Sequence, residues 1–502
     1  MPPPLKRRAV AGSFIFKFPD DDLTKTPKVA LFRRSGKVRT YQHKYAAVSG
    51  SVEASDASPL ATAWRELQEE TTLTATSLRL FRQGKPYSFV DESIGREWTI
   101  NPFGFVLKSQ NEGGRGEAGI QIDWEHEGYD WFDPREVNES DEFGGVPRIL
   151  ESLRRVWFEI DLGEEAGRIL SQGLTTLQQD HESGAHQLAA KALGIFVDTI
   201  KKLDMESPEL WWKNARFAAW HLWKNGRESM GASILSVALS SLAIIEKALP
   251  LSDKRSLRES MDDIVEALEQ YARQRESAST QVGAHVVSFL NTHYSEAKTL
   301  RVLTLSSSST IRRSITQALQ SVRPALDIRV LESRPLFEGA NMAGEMATFA
   351  HSNGIKATVT VFTDASVGAA AQDVDVVLLG ADVIDKQGNV SNKTGSLPAA
   401  LVAKYVSPGV KVLVVSQREK VLPFDDDDGP PGEEDDAQEI VQSWGQLRGT
   451  GSAVDVKNVY LEWVSSDLID FYVTEVGALR TEEMRKWAGE VDGRADRFFT
   501  GL

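Results

Sequence analysis

Five short apolar runs in the last part of the chain constrain its fold most strongly. Helix-compatible segments separate them, and in chain order they are RVLTL (301–305), DIRVLES (327–333), KATVTVF (356–362), VDVVLLG (374–380) and KVLVVS (411–416). Short apolar runs that alternate with helical segments are typical of a parallel β-sheet covered by helices on both faces. We therefore predict an α/β domain built on a parallel sheet over residues 297–502.

Polar residues follow these runs directly, at the strand ends where ligands of parallel sheets bind. They are SSSST (306–310), ESRP (332–335), Thr363 with Asp364, and GAD (380–382). Hydroxyl groups, an arginine and backbone amides at one sheet edge favour an anion such as phosphate. Each cluster alone is a weak indication, but four clusters at successive strand ends together predict a phosphate-binding site.

A second stretch, residues 50–73, has a spacing that specifies chemistry. Ser58 and Pro59 form a cap and first-turn signal, and good helix formers after them predict a helix from Ala61 to Thr71. Three carboxylates stand at i, i+3 and i+4 and share one face of this helix: Glu66, Glu69 and Glu70. Because such carboxylates repel one another unless a cation neutralises them, the face predicts a site for Mg²⁺ or Mn²⁺, and these ions suit phosphate substrates.

This stretch resembles the Nudix box, G-x5-E-x7-R-E-U-x-E-E-x-G-U, with RELQEE at 65–70 as its core. The resemblance implies a Nudix α/β/α sandwich and metal-dependent hydrolysis of a nucleoside diphosphate linked to another moiety. It also implies roles for individual residues: Glu69 and Glu70 as metal ligands, Glu66 as a third ligand or base, and Arg65 as the group that orients the carboxylates.

The chain departs from the Nudix pattern at three points. The spacing from Gly50 to Arg65 is one residue longer, Asp56 stands nearest the first glutamate's place, and Thr72 occupies the last glycine's place. An extra loop residue costs little, whereas a glycine at the last place is expected to serve a backbone conformation that β-branched Thr72 resists. An ordinary charged helix face is the alternative interpretation of RELQEE.

Four segments rich in β-branched and aromatic residues flank the acidic helix: 12–18, 28–34, 44–49 and 97–107. They predict a mixed sheet, and helical periodicity over residues 146–160 predicts the end of this domain. The segment IDWEHEGYDWFDPREV resembles the Nudix pattern of a glutamate-rich strand followed by a Trp-Phe turn. It offers Glu125 or Glu127 as a further metal or base carboxylate, and solvated edge-strand charges are the alternative.

Long amphipathic helices begin at about residue 185, for example HQLAAKALGIFVDTIKKL and ELWWKNARFAAWHLWKN. We therefore predict four segments along the chain: a Nudix domain over 1–160, a linker over 161–184, a helical subdomain over 185–296 and the parallel-sheet domain over 297–502. The acidic run DDDDGPPGEEDD (425–436) predicts a solvated disordered loop by its composition.

The later part of the chain resembles a second family. ESRPLFEG (332–339), GADVIDKQGNVSNKTGS (380–396) and NVYLEWVSSDLIDFYVTEVG (458–477) are similar to motifs in the alpha, beta and delta regulatory subunits of translation initiation factor 2B. The same superfamily contains methylthioribose-1-phosphate isomerase and ribose-1,5-bisphosphate isomerase. GRESMGAS (226–233) resembles its arginine-containing phosphate loop. The likeness covers roughly residues 185–480 and implies a Rossmann-like sheet domain that forms dimers or larger assemblies.

This second resemblance implies a binding site for a sugar phosphate or nucleotide. The residues that it marks as ligand-binding are Arg227, Ser306, Ser308, Arg334, Asp382, Asn392 and Lys393. A helix cap or turn role for Asp382 and a surface ion pair for Arg334 are the alternatives.

The absence of cysteine bears on isomerase activity. In the related isomerases a cysteine after the first strand and the aspartate of GAD shuttle protons on a sugar phosphate. This chain has Asp382 but contains no cysteine at all, and Ser306 stands nearest the missing thiol. Because a serine hydroxyl is a far poorer acid or base than a thiol near neutral pH, we expect isomerase activity to be absent or very slow.

Composition narrows the classes of partner. A formal net charge of -15 argues against general binding of nucleic acid or membrane surfaces. The N-terminal MPPPLKRRAV lacks the apolar core of a signal peptide, and no apolar run is expected to span a membrane. We therefore expect a cytoplasmic protein with a small-molecule phosphate substrate, no membrane partner and no direct nucleic-acid partner.

The leading functional hypothesis is a Nudix-type, metal-dependent phosphoanhydride hydrolase fused to a sugar-phosphate- or nucleotide-binding module like initiation factor 2B, and assembled as a homo-oligomer. One alternative is a non-catalytic regulatory protein of the translation-factor type. Another is a sugar-phosphate isomerase that works without the usual cysteine.

Overall fold

The computed structural model describes residues 6–180, 183–227, 230–249, 256–423, 437–444 and 455–502. The acidic run 425–436, predicted to be a disordered loop, lies outside these residues. The chain divides into two compact units: the first comprises Met1–Gln179, Ile195–Gly226 and Leu502, and the second comprises Asp180–Gly194 and Arg227–Gly501. Each unit is therefore discontinuous in sequence.

The first unit is built on a mixed β-sheet. Its strands are β1 (Lys6–Lys17), β2 (Lys28–Arg34), β3 (Tyr45–Ala46), β4 (Val48–Ser51), β5 (Leu78–Gln83), β6 (Tyr87–Asp91), β7 (Arg96–Leu107) and β8 (His126–Phe132). The order along the sheet is β3-β2-β1-β7-β5, with β4 paired to β1, β6 to β7 and β8 to β2. β1 and β7 run parallel, whereas β2 and β8 run antiparallel.

Helices cover both faces of this sheet. The helices of the first unit are α1 (Pro59–Thr71), α2 (Ile149–Val156), α3 (Glu159–Leu162), α4 (Glu164–Gln179) and α6 (Pro208–Asn225), while α5 (Ala185–Ile200) contributes residues to both units. One apolar core packs Ala63 and Leu67 of α1 against the sheet. The core on the other face includes Leu153 and Val156 of α2. This arrangement is the predicted α/β/α sandwich.

The second unit contains the predicted parallel sheet. Its strands are β9 (Thr299–Leu305), β10 (Ala325–Leu331), β11 (Ala357–Phe362), β12 (Val376–Leu379), β13 (Val383–Ile384), β14 (Val390–Lys393), β15 (Lys411–Val415), β16 (Leu461–Val464), β17 (Phe471–Thr474) and β18 (Gly477–Leu479). The main sheet has the order β11-β10-β9-β12-β15-β17-β18, and only β18 is antiparallel to its neighbour. β13, β14 and β16 form a small separate sheet. Each of the five apolar runs forms a strand, which confirms the prediction.

Two helical layers enclose the parallel sheet. The helices are α7 (Gly231–Ala248), α8 (Leu257–Tyr294), α9 (Ser309–Ser321), α10 (Glu338–Ser352), α11 (Val367–Ala370), α12 (Ser396–Val406), α13 (Ala437–Ser443) and α14 (Thr481–Phe499). Residues of α8, α9 and α10 form the core on one face, and residues of α12 and α14 belong to the core on the other. The predicted fold class, an α/β multi-domain protein with a helical region before a Rossmann-like sheet, is confirmed.

α7 differs from one sequence expectation. Judged by length and composition only, Gly231–Ala248 is apolar enough to cross a membrane, although no run was expected to be. However, 61% of that window is buried inside the protein. Burial of this kind is what a core helix shows, because its apolar side chains pack on protein.

Candidate functional sites

The helix α1 is fixed at both ends. Ser58 caps its first turn by accepting a hydrogen bond from the Ala61 amide, and Pro59 occupies the first helical position. At the other end Thr72 adopts the left-handed conformation with φ of 61° and donates its hydroxyl to the Gly119 carbonyl at 3.3 Å. The backbone conformation expected of a glycine is therefore present at Thr72, at the cost of strain that a glycine would not have.

Asp56, in the loop before α1, holds the Arg65 side chain in place. The Asp56 carboxylate accepts hydrogen bonds from the Glu53 amide at 3.0 Å, the Thr62 hydroxyl at 2.8 Å and the Arg65 guanidinium at 3.0 and 3.2 Å. The guanidinium, the Glu53 amide and the Thr62 hydroxyl hold the pKa of Asp56 well below its usual range. Asp56 therefore fixes Arg65 and stands apart from the helix carboxylates.

Arg65 lies against two of the three helix carboxylates. Its Nη1 atom donates to Glu66 at 2.6 Å and to Glu69 at 3.2 Å. Only 14% of the Glu66 side chain is exposed, against 60% for Glu69. Gly50 of β4 packs so closely on the Glu66 carboxyl group that a Cβ atom there would overlap it. Arg65 and the strand together set the direction of Glu66.

Glu70 is buried against His126 of β8. Its Oε2 atom lies 2.5 Å from His126 Nε2, while its Oε1 atom is buried with no hydrogen-bond partner. Burial, followed by the nearby carboxylates of Glu66, Glu125 and Asp123, raises the pKa of Glu70 well above its usual value. Burial also lowers the pKa of His126 to about 4.

Glu125 completes the acidic group, whereas Glu127 does not. Burial and then the neighbouring carboxylates of Asp123, Glu66 and Glu69 raise the pKa of Glu125. Glu127 instead pairs with His43 at 2.7 Å and with Arg33 at 3.6 Å. Of the two candidates from the sequence, the structure brings only Glu125 to the helix.

Carboxylate oxygens are suitable ligands for a hard divalent cation, but the carboxylates of this site do not converge on one point. Among the residues that the structure describes, no group of three or more His, Asp or Glu side chains is arranged so that it could hold a metal ion. Glu66 and Glu69 point to Arg65, and Glu70 to His126. The unpartnered oxygen of Glu70 and the crowding of four carboxyl groups are nevertheless what a cation would relieve.

Sequence analysis did not single out His126 or Asp123 at this site. The Asp123 amide donates to the Glu70 carbonyl at 3.1 Å, and the Glu125 amide donates to the Asp123 carboxylate at 2.9 Å. Both residues lie beside Glu125 in the predicted acidic segment. The alternation of that strand was the available signal, because it places His126 on the buried side next to exposed Glu127.

The second unit brings several predicted residues together at its strand ends. Ser308 caps α9 and accepts from the Ile311 amide, and Gly380 follows β12. A Cβ atom on Gly380 would lie 3.1 Å from Asn392 Oδ1 and 3.3 Å from Ser308 Oγ. Ser306 has a left-handed backbone and donates its amide to the Ser333 hydroxyl at 2.8 Å. A cradle of small and polar groups therefore surrounds the start of α9.

Lys393 extends this group with a buried positive charge. Its Nζ atom lies 3.4 Å from Glu338 Oε1 and 3.5 Å from the centre of the Tyr460 ring. The Tyr460 hydroxyl donates to the same Glu338 oxygen at 2.8 Å. Glu338 and Tyr460 lie in the quoted family segments, but sequence analysis did not assign them to the site.

Three other predicted residues have separate settings. Asp382 is partly exposed and lies 3.9 Å from Lys420, and its amide donates to the Ser391 carbonyl. The exposed Arg334 side chain donates to Ser443 at 3.1 Å. The Arg227 guanidinium donates to the Asp180 carbonyl at 2.8 Å. The site roles of all these residues stay predictions.

Two family models match the chain. The model of the Initiation factor 2 subunit family matches residues 181–481, and the model of the NUDIX domain matches residues 8–153. Both resemblances noted in the sequence are thereby confirmed, and they cover the second and the first part of the chain respectively.

Similar proteins include methylthioribose-1-phosphate isomerases. The protein of Syntrophotalea carbinolica is 31% identical over 177 residues, which cover 34% of this chain and 49% of that protein. The protein of Vitis vinifera is 25% identical over 233 residues, which cover 43% and 58%. The chain thus spans about half the length of the curated relatives it matches.

Similar solved structures include translation initiation factors. The factor eIF-2B of Pyrococcus horikoshii OT3 is 20% identical, with a TM-score of 0.41, and the match covers 62% of this chain and 96% of that one. For eIF2B beta of Chaetomium thermophilum the identity is 14%, the TM-score 0.49 and the coverage 66% and 94%.

Proposed function

The chain belongs to the Initiation factor 2 subunit family and contains a NUDIX domain, and from this premise we propose that it hydrolyses a phosphoanhydride bond at the carboxylates of α1. The substrate class is a nucleoside diphosphate linked to another moiety. The observation that supports the proposal most strongly is the buried, unpartnered oxygen of Glu70, which three further carboxyl groups surround.

Glu66, Glu69 and Glu70 would hold the divalent cation. When bound, Mg²⁺ or Mn²⁺ would screen the phosphate charge and make a water molecule more acidic. Arg65, itself fixed by Asp56, keeps Glu66 and Glu69 on one side of the helix. We assign to Glu125 the role of accepting the proton of the attacking water, and the support for this role is that burial and its acidic neighbours raise its affinity for a proton.

Hydrolysis of a panel of nucleotide sugars, dinucleotides and nucleoside triphosphates with Mg²⁺ or Mn²⁺ tests this proposal. We expect turnover by the wild type and its loss in the Glu69→Gln/Glu70→Gln double variant. Glu125→Gln and Glu127→Gln form a matched pair on the same strand region, and only Glu125→Gln should lower kcat. No turnover across the panel, or equal losses in the matched pair, would reject the assignment.

We propose that the second unit binds a phosphorylated sugar or nucleotide in the cradle formed by Ser308, Gly380 and Asn392. The start of α9 offers backbone amides to a phosphate group, and Lys393 offers a charge. Calorimetric titration with ribose 5-phosphate and AMP tests this, with Asn392→Asp as the variant that places a negative charge in the cradle. Equal binding by wild type and variant would contradict the proposal.

Isomerase activity is not part of this proposal. Asp382 has no cysteine partner, because the chain contains none. Conversion of a ribose phosphate by the wild-type chain, lost in Asp382→Asn, would show that the expectation is wrong. We also propose a homo-oligomer, and a monomeric mass from light scattering would contradict it.

A further inference from the structure

A basic loop begins beside the proposed hydrolase site. This loop, residues 33–44 with the sequence RRSGKVRTYQHK, contains five Lys or Arg residues and one His, and no Asp or Glu. The whole chain has a net charge of -15. The charge of this loop is therefore opposite in sign to that of the chain as a whole.

The basic loop has a defined conformation. Arg34 Nε donates to the Thr40 carbonyl at 3.1 Å, and the Gln42 side chain donates to the carbonyls of Gly36 and Val38, each at 2.9 Å. Val38 is 5% exposed and anchors the loop in the protein. These contacts fix the backbone of the loop, and with it the positions of the Cα atoms that carry its cationic side chains.

Its first residues join the loop to the acidic group. Arg34 pairs with His126 in the β2–β8 ladder, next to a bulge between Arg33 and Arg34. The Ser35 amide donates to the Glu125 carbonyl at 2.7 Å.

Two cations of the loop face solvent. Lys37 and Arg39 are exposed, and no ion pair with a carboxylate of a described residue involves either of them. Acidic groups do meet other parts of the loop: Glu127 pairs with Arg33 and His43, and Asp91 accepts from the Tyr41 hydroxyl at 2.6 Å. These contacts leave the charges of Lys37 and Arg39 available.

We infer that the basic loop binds a phosphate group of the substrate other than those joined by the bond that is cleaved. The inference rests on the proposed hydrolase function and narrows its substrate class to nucleotides with at least one additional phosphate. A cation cluster beside a carboxylate site suits such a ligand, because the carboxylates alone repel phosphate and the loop offsets that repulsion.

Site-resolved lysine footprinting with inorganic tripolyphosphate tests this inference in the full-length protein. Acetylation of Lys37, Lys44 and Lys28 is followed by mass spectrometry as tripolyphosphate is added. Lys28 lies at the opposite end of β2 and serves as the internal control. We expect protection of Lys37 and Lys44 only, at concentrations about tenfold below those that inorganic phosphate requires.

Variants separate specific binding from general attraction. Arg39→Gln should raise the tripolyphosphate concentration for half-protection of Lys37 by about tenfold, and Arg39→Lys should restore most of it. Arg135→Gln, an exposed arginine beyond the far end of β8, should change nothing. Equal protection of Lys28, or equal effects of Arg39→Gln and Arg135→Gln, would overturn the inference.

The footprint does not depend on turnover. If Lys37 is protected while no panel substrate is hydrolysed, the hydrolase proposal fails and the loop remains an anion site. If substrates are hydrolysed while Lys37 stays unprotected, the hydrolase stands and the assignment of the loop fails.

Discussion

The backbone conformation of Thr72 is unfavourable for its β-branched side chain. Its φ of 61° is in the left-handed region, where a β-branched side chain is strained, and its hydroxyl contact to Gly119 is long at 3.3 Å. Thr72→Gly removes the strain and loses one weak hydrogen bond, so we expect a stabilisation of about 0.5–1 kcal/mol. Chemical denaturation, followed through the transition of the first unit, measures it.

Thr72→Ala is the matched control. Alanine keeps the Cβ atom that causes the strain but loses the hydroxyl group, so this variant should be no more stable than the wild type. Equal stabilisation by glycine and alanine would show that the hydroxyl or the branch, and not the backbone, accounts for the effect.

His221 predicts a pH dependence of stability. It is completely buried in α6 between the rings of Phe158 and Phe217, and burial lowers its pKa well below 6.5. Below pH 6.5 the unfolded chain therefore binds a proton at this residue that the folded chain does not. Stability should fall as pH falls, by up to about 1.4 kcal/mol per pH unit from this residue.

The comparison with His221→Gln isolates that contribution. Glutamine does not titrate and can still accept the hydrogen bond that Asn225 donates to His221 Nδ1 at 2.9 Å. Unfolding midpoints measured from pH 7.5 to 5 should converge between wild type and variant as pH falls. His126 contributes equally to the wild type and to the variant, so it does not affect the difference between their curves. Parallel curves would therefore mean that His221 has the same pKa in the folded and the unfolded chain.

At the scale of elements, sequence spacing predicted which residues share a face of one helix or the end of one strand. It predicted few of the contacts between elements that are distant in the chain. The i, i+3, i+4 spacing on α1 and the strand ends that bring Ser308 near Gly380 follow from regular geometry. His126 meets Glu70 across a separation of 56 residues, through a strand pairing that no local pattern encodes. Lys393 meets Glu338 for a similar reason, since α10 and β14 are joined only by the tertiary fold.

The packing of β4 on α1 predicts a change of function without loss of fold. In Gly50→Ala the new methyl group would overlap the carboxyl end of Glu66, which is flexible and can turn away. We expect the free energy of unfolding of this variant to lie within about 0.5 kcal/mol of the wild-type value. Mn²⁺ affinity, measured by electron paramagnetic resonance, should fall by about tenfold or more because one ligand is displaced.

Gly12→Ala is the control on the neighbouring strand. Gly12 of β1 pairs with Ser49 of β4, and a Cβ atom there would meet nothing within 4 Å. This variant should bind Mn²⁺ as the wild type does. Similar losses in both variants would point to a general effect of the strand and not to the Glu66 carboxylate.

At the scale of the whole molecule, the first unit extends well beyond the NUDIX match that ends at residue 153. Arg82 on the edge strand β5 is buried and bonds Glu159 at 2.8 and 2.9 Å and Ser171 at 2.7 Å. Asn225 of α6 bonds the backbone of Gln83 twice, at 2.6 and 2.9 Å, and so satisfies the open edge of the sheet. The sequence did not predict this extension, because amphipathic helices do not specify which sheet they cover.

A chain that ends at Gly226 should therefore fold, while one that ends at Val156 should not. The shorter chain lacks buried Trp157 and Phe158, and it uncovers the rings of Phe16, Phe18 and Phe81, which pack on Trp157. Loss of one buried aromatic side chain of this size costs about 3–5 kcal/mol, which is a large part of a domain's stability. Circular dichroism and a cooperative thermal transition distinguish the two chains.

A double-mutant cycle in the full-length protein separates the ion pair from the aromatic contacts. Arg82→Met and Glu159→Gln should each destabilise the first unit by about 2–4 kcal/mol, whereas the double variant should lose less than the sum, because no buried charge is then unpaired. Arg82 also lies on the Phe158 ring at 3.7 Å, a contact that methionine partly replaces. If the two losses simply add, the ion pair does not couple the helical extension to the sheet, and the aromatic contacts of Trp157 and Phe158 alone join them.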